Sequence, residues 1–269
     1  MKILIIYFSG VGNTRYLARF IAMRLTDAGH SAVTVPVERF EPGSLHEYDL
    51  AGFGSAVYHT TPPGPIIGAL EKCRVDGMPL FTFWTMGLYA ADCAKKFHDR
   101  AVNRGFRPVA NLEAVFPGTD LAMQVPEGSL LARLNLRVDK KLEEKVAFLV
   151  ETLSGDLEEK RAGSRWYAPL DAIAQRMGIP VYEKYKKRLY ADMEACTRCD
   201  LCMKSCPTQS IYLDDDNVYQ FTPETCILCL RCYHRCPARA VKLENHNKRP
   251  GQYPGPHVAR NYIPLSPGQ

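Results

Sequence analysis

Residues 3–14 read ILIIYFSGVGNT. Ile3 to Phe8 is an unbroken apolar run, as expected of a strand covered on both faces of a parallel sheet. The run stops at Ser9-Gly10-Val11-Gly12-Asn13-Thr14, and apolar residues then recur at Leu17, Phe20, Ile21 and Leu25, the period of a helix. A strand, a glycine-rich turn and a helix in that order make an anion site. Backbone N–H groups and the helix dipole both point into the turn. The loop is not G-x-x-x-x-G-K-[ST], and no lysine follows it, so it does not suit a triphosphate; nor is it G-x-G-x-x-G. Hydroxyls at both ends, with an asparagine, suit a single terminal phosphate gripped by short side chains.

The alternation continues. Ala32 to Val37, Leu50 to Tyr58 (small residues throughout), Leu80 to Thr85 and Val109 to Phe116 read as further strands. Ile66 to Cys73, a face made by Ala90, Ala94, Phe97 and Ala101, and a face made by Leu142, Val146, Leu149, Val150 and Leu153 read as helices. Strand–helix units in this order predict a doubly wound α/β fold with a five-stranded parallel sheet over residues 1–153. Gly118 to Leu136 breaks the pattern and reads as an inserted loop or hairpin. Residues 154–192 read as a linker with short helices at Leu170 to Met177 and Val181 to Leu189. The Pro- and Gly-rich tail, 246–269, is either disordered or strapped onto a neighbour through Tyr253, Tyr262, Ile263 and Leu265.

Between linker and tail, at 193–245, lies a second chemistry. Cys196, Cys199, Cys202 and Cys206-Pro207 are spaced x2, x2, x3, and Cys226, Cys229, Cys232 and Cys236-Pro237 repeat the spacing. Three close cysteines wrap one loop around a cubane, while the fourth, past a turn, reaches the other cluster. The expected sets are therefore Cys196, Cys199, Cys202 and Cys236 for one [4Fe–4S] cluster, and Cys226, Cys229, Cys232 and Cys206 for a second. Zinc sites favour two C-x2-C pairs, which this is not. Ile211 to Leu213 and Val218 to Phe221, flanking Asp214-Asp215-Asp216-Asn217, read as a hairpin. Cys73 and Cys93 lie outside the runs and read as small buried hydrophobes.

Composition bounds the rest. In 269 residues with a net charge of +5 there is no concentrated basic stripe for nucleic acid. Lys184, Lys186, Lys187 and Arg188 read as a solvated helix face or, less simply, a docking patch. No apolar run reaches a membrane span, and MKILIIYFSG lacks a cleavage site, so a cytoplasmic protein is expected. The oligomeric state is not legible.

The glycine loop resembles that of the flavodoxins, Ser/Thr-x-Thr-Gly-x-Thr: Ser9, Gly12 and Thr14 match, and Val11 stands where a threonine is usual. The cysteine runs resemble the two-cluster bacterial ferredoxins. The whole chain is similar to flavodoxin–ferredoxin fusion proteins. The resemblance implies a flavodoxin-like sheet followed by a small α+β ferredoxin-like domain, with FMN on one and two [4Fe–4S] clusters on the other. FMN would lie on Ser9 to Thr14 and on two ring loops, one carrying Tyr58, His59, Thr60 and Thr61, the other Trp84, Thr85, Met86, Gly87 and Tyr89. Tyr58, Trp84 and Tyr89 are candidates for the flat faces that an isoalloxazine needs. His59 is a candidate tuner of the flavin or a solvated side chain. Three functions remain open: an electron carrier served by a redox partner protein, with reduced ferredoxin as the expected donor; a flavin-dependent reductase of a small organic substrate; or a ferredoxin with a flavin-free docking domain. The carrier is favoured.

Overall fold

The computed structural model describes residues 1–58, 60–87, 90–120, 128–163, 176, 182–244 and 251–265. Its first unit is a five-stranded sheet of β1 (Lys2–Phe8), β2 (Ser31–Pro36), β3 (Leu50–Ala56), β4 (Met78–Met86) and β5 (Phe106–Val115). The order is β2-β1-β3-β4-β5 and every pairing is parallel. This is the flavodoxin-like winding, with its topological switch between β1 and β3. Helix α1 (Asn13–Asp27) and helix α5 (Leu142–Ser154) bury Leu17, Ile21, Val146 and Leu149 on one face. Helix α2 (Gly64–Glu71) and helix α3 (Cys93–Val102) bury Ile66, Leu70, Ala94 and Phe97 on the other. The small residues of β3 have a packing cause: a Cβ on Gly52 or Gly54 would run into the rings of Phe81 and Phe83 on β4. Cys73 and Cys93 are buried as expected, and burial pushes both thiols up, Cys73 to about 12.

The structure corrects the reading of 118–136, moves the start of the second unit, and decides between the two alternatives for the tail. Within 118–136 the described residues form helix α4 (Leu130–Asn135), capped by the Ser129 hydroxyl at Ala132 N–H, rather than a hairpin. The helix expected at Leu170 to Met177 lies outside the described residues but for Arg176, whereas Leu189–Ala191 is strand β6. It pairs antiparallel with β9 (Val241–Leu243), so the small second unit opens before residue 193. Disorder is not what the tail shows over 251–265. Tyr253 is buried, and the Tyr16 hydroxyl donates to the Ile263 carbonyl at 2.9 Å. The Tyr262 ring lies 5.0 Å from that of Tyr16, and Val138 N–H donates to the Arg260 carbonyl at 2.8 Å. The strap ties the chain's end to α1 and to the segment before α5.

In the second unit, β7 (Ile211–Leu213) and β8 (Tyr219–Phe221) form the expected hairpin. Helix α6 (Leu201–Lys204) and helix α7 (Arg231–Arg235) follow the two cysteine loops.

Candidate cofactor sites at the glycine loop and the cysteine loops

The glycine loop sits where β1 meets α1. Gly12 has φ 110°, a left-handed conformation that glycine adopts freely, and its N–H donates to the Ser9 hydroxyl at 3.1 Å. Thr14, 1 % exposed, meets the Thr85 hydroxyl at 2.9 Å, joining this loop to the end of β4. Asn13 donates from Nδ2 to the Pro117 carbonyl at 3.1 Å and accepts at Oδ1 from the Tyr253 hydroxyl at 2.7 Å. Helix α1 has no side-chain cap and no carboxylate in its first turn. Its first N–H groups have no partner within the helix and the dipole there favours negative charge, so these residues fit a phosphate.

The two ring loops lie at the same carboxyl edge of the sheet. Tyr58 and Thr61 exchange backbone hydrogen bonds at 3.1 and 2.9 Å, and Thr60 takes φ 61° in the turn between them. The Tyr58 ring tilts against Phe8 at 6.3 Å. Burial pushes the Tyr58 hydroxyl up, and the Cys229 thiol adds to the push. Met86 accepts at its carbonyl from Phe116 N–H, and Gly87 is exposed. His59 and Tyr89 lie outside the described residues. Trp84 is a correction. It is fully buried, its ring 5.5 Å from that of Phe97 in the core, and offers no face to a ligand. Its position in β4 puts it on the α3 side of the sheet, which an apolar count along the strand does not distinguish from a loop aromatic.

The cysteine loops repeat in backbone as well as in sequence. Left-handed φ angles occur at Arg198 and Leu228, Asp200 and Leu230, and Gln209 and Arg239. Each pair occupies the same place in its run. These conformations cost non-glycine residues about 1–3 kcal/mol each and persist only where surroundings impose them. Here they turn N–H groups onto sulfur. Arg198 N–H reaches Cys196 Sγ and Leu228 N–H reaches Cys226 Sγ, both at 3.4 Å, while Ser210 and Ala240 N–H reach Cys206 and Cys236 Sγ, both at 3.2 Å. The thiols also sort by mutual influence. Burial raises Cys202, with Cys196 and Cys236 adding to it. Burial likewise raises Cys229, with Cys226 and Cys206 adding. Burial raises Cys232 as well, with Cys229, Cys226, Cys206 and also Cys202 of the first run adding to it, so thiols of both runs stand near one another. Among the described residues no three His, Cys, Asp or Glu side chains close on a single metal ion. A cavity lined by Cys206, Cys226, Cys229 and Cys232 opens between the second set.

The two sites touch. A Cβ on Gly10 would stand 2.8 Å from the Cys229 carbonyl and 3.1 Å from the Tyr58 hydroxyl. Arg231, between Cys229 and Cys232, is 9 % exposed. It donates to the Ser9 carbonyl at 2.8 Å, the Gly10 carbonyl at 3.3 Å and the Ser205 carbonyl at 2.9 Å, and pairs with Glu38 at 2.7 Å. One side chain therefore pins the glycine loop to the segments carrying Cys206 and Cys232. His234 accepts at Nδ1 from Tyr253 N–H and donates from Nε2 to the Thr119 carbonyl, each at 3.0 Å, and burial lowers its pKa to about 4. Sequence reasoning missed Arg231, Glu38 and His234. One signal was available: at the place of Arg231 the first run has Leu201, which is exposed. A buried arginine matched by an exposed leucine marks the second loop as the one packed against polar backbone.

Residues 195–240 match the 4Fe-4S dicluster domain family. The chain joins a flavodoxin-like fold to a 4Fe–4S dicluster domain. Iron–sulfur clusters of this kind carry electrons, so the dicluster domain makes this an electron-transfer protein in general terms. Comparison with curated proteins found no match. Solved structures similar to it include a flavodoxin from Streptococcus pneumoniae TIGR4, at 16% identity, covering 57% of this chain and 98% of that one, with a TM-score of 0.44. Flavodoxin 2 from Bacillus cereus is similar at 23% identity over the same shares, with a TM-score of 0.44. For the flavodoxin-like fold itself, the strand order is the deciding feature. No helix among the described residues is long and apolar enough to cross a membrane.

Proposed function

We propose that the chain relays electrons between FMN on the flavodoxin-like fold and two [4Fe–4S] clusters on the dicluster domain, in the service of a redox partner protein. FMN, when bound, accepts two electrons singly, and each cluster carries one at a time. The glycine loop, Ser9 to Thr14, holds the phosphate through backbone N–H groups at the start of α1. Tyr58, Thr60 and Thr61, with Thr85, Met86 and Gly87, border the ring. Cys196, Cys199, Cys202 and Cys236 hold one cluster; Cys206, Cys226, Cys229 and Cys232 hold the other.

The observation that carries this reading is the approach of the Cys229 carbonyl to Gly10, within 2.8 Å of where a Cβ would be. It brings the second cluster loop against the loop that grips the phosphate and against Tyr58. Cys199 is exposed whereas Cys229 is buried. The Cys199 cluster therefore exchanges with the partner and the Cys229 cluster with the flavin. Arg231 keeps the inner loop in register and excludes water from the seam.

Anaerobic purification followed by iron, sulfide and flavin determination tests the reading. About eight iron and one FMN per chain are expected. A second reading, a ferredoxin with a flavin-free docking domain, is favoured by the Tyr253–Asn13 hydrogen bond and by Pro256 lying over Gly12. Full iron with no flavin, even after incubation with excess FMN, would select it.

A further inference from the structure

Around the glycine loop the surface carries several arginines. Arg15 and Arg19 lie four apart on α1 and so share a helix face. Arg39 directly follows Glu38, which Arg231 engages at 2.7 Å beside the Ser9 and Gly10 carbonyls, so these groups gather where β1 meets α1. Arg235 extends the group: it stands four residues after Arg231 on α7 and so lies on the same side of that helix. The only carboxylate in this set, Glu38, is engaged by Arg231 at 2.7 Å. Among the described residues none of Arg15, Arg19, Arg39 and Arg235 forms an ion pair, and Arg15, Arg39 and Arg235 are exposed. Charge gathered on one face is a fixed field that raises the encounter rate of an oppositely charged partner. Its location is specific, because Arg235 directly precedes Cys236, a ligand of the Cys199 cluster that exchanges with the partner.

We infer that Arg15, Arg19, Arg39 and Arg235 form the docking surface for the acidic face of a one-electron carrier protein. The inference deepens the electron-relay reading and rests on it. Each productive encounter moves one electron: the carrier is oxidised by one, a cluster of this chain is reduced by one, and no proton need accompany it. A protein is favoured over nucleic acid because, among the described residues, no exposed aromatic residue interleaves these arginines to stack on bases.

The test uses the loaded full-length chain and, as probe, an acidic two-[4Fe–4S] ferredoxin. Binding is measured with both proteins oxidised, and electron transfer by stopped flow with the probe reduced. Raising salt from 50 to 200 mM should weaken binding and slow reduction about tenfold. Arg19→Glu with Arg39→Glu should do the same at low salt, roughly tenfold, and leave iron content and reduction by a small uncharged photoreductant unchanged. Binding indifferent to salt and to the double variant overturns the docking surface. So does a single-stranded oligonucleotide that binds more tightly than the ferredoxin and loses affinity in the same variant. Salt-sensitive docking with no electron transferred would support the surface and sink the relay instead.

Discussion

Gly10→Ala probes the seam between the two units. The added methyl would lie 2.8 Å from the Cys229 carbonyl oxygen and 3.1 Å from the Tyr58 hydroxyl. The tyrosine can swing aside, but the carbonyl belongs to the main chain of a cluster loop held by left-handed Leu228 and Leu230. Relief requires the loop to move by a few tenths of an ångström against Arg231. Overpacking of this kind costs roughly 1–3 kcal/mol, or about 5- to 150-fold in the folding equilibrium. Gly68→Ala is the matched control. It lies within α2 with nothing inside 4 Å of the added carbon, so it should gain roughly 0.5–1 kcal/mol from helix propensity. Anaerobic urea unfolding of the loaded proteins reads both. A Gly10→Ala midpoint equal to that of wild type or of Gly68→Ala would refute the packing of the cysteine loop on the glycine loop.

Arg231→Gln strands the Ser9 and Gly10 carbonyls and leaves Glu38 without its partner, and should destabilise by roughly 2–4 kcal/mol in the same assay. Glu38→Gln, at a more exposed carboxylate, should cost only about 1 kcal/mol. Tyr253→Phe removes the hydroxyl that donates to Asn13 and should cost about 1 kcal/mol by urea midpoint. His98 is buried and neutral, accepting at Nδ1 from Ala162 N–H and meeting the Thr82 hydroxyl at Nε2, and burial lowers its pKa from 6.5 to about 4. Between those values the unfolded chain takes up the proton and the folded chain does not, so stability falls as pH drops from 6.5 towards 4. The loss over the full window is about 3 kcal/mol, and urea midpoints from pH 8 to 5 should slope less in His98→Gln than in wild type. Cys199→Ser should cut iron to about four per chain and spare the Cys229 cluster.

The parts legible in the sequence share a cause: local spacing. Ile3 to Phe8 could only be a doubly buried strand, and the glycine turn after it fixed the first crossover. The cysteine intervals implied crossed partners because a cubane imposes such spacing. Other features depend on distant segments. Trp84 differs from a ligand-facing aromatic only in which side of β4 it occupies. Arg231 differs from Leu201 at the matching place of the first run, but nothing local names its partners, since the Ser9 and Gly10 carbonyls lie more than two hundred residues away. The tail's Tyr253 finds Asn13 across a similar span. Arg15, Arg19, Arg39 and Arg235 are scattered in sequence, and only the winding of the sheet and the docking of the second unit gather them.

The central claim is that electrons pass inside one molecule between the Cys229 cluster and the flavin. The direct measurement is anaerobic stopped flow, with a one-electron donor, following cluster and flavin absorbance together across a range of protein concentrations. The account predicts that flavin reduction follows cluster reduction at a rate independent of protein concentration, and that this phase disappears in Cys229→Ser. A flavin phase whose rate scales with protein concentration, or that survives in Cys229→Ser, would contradict it.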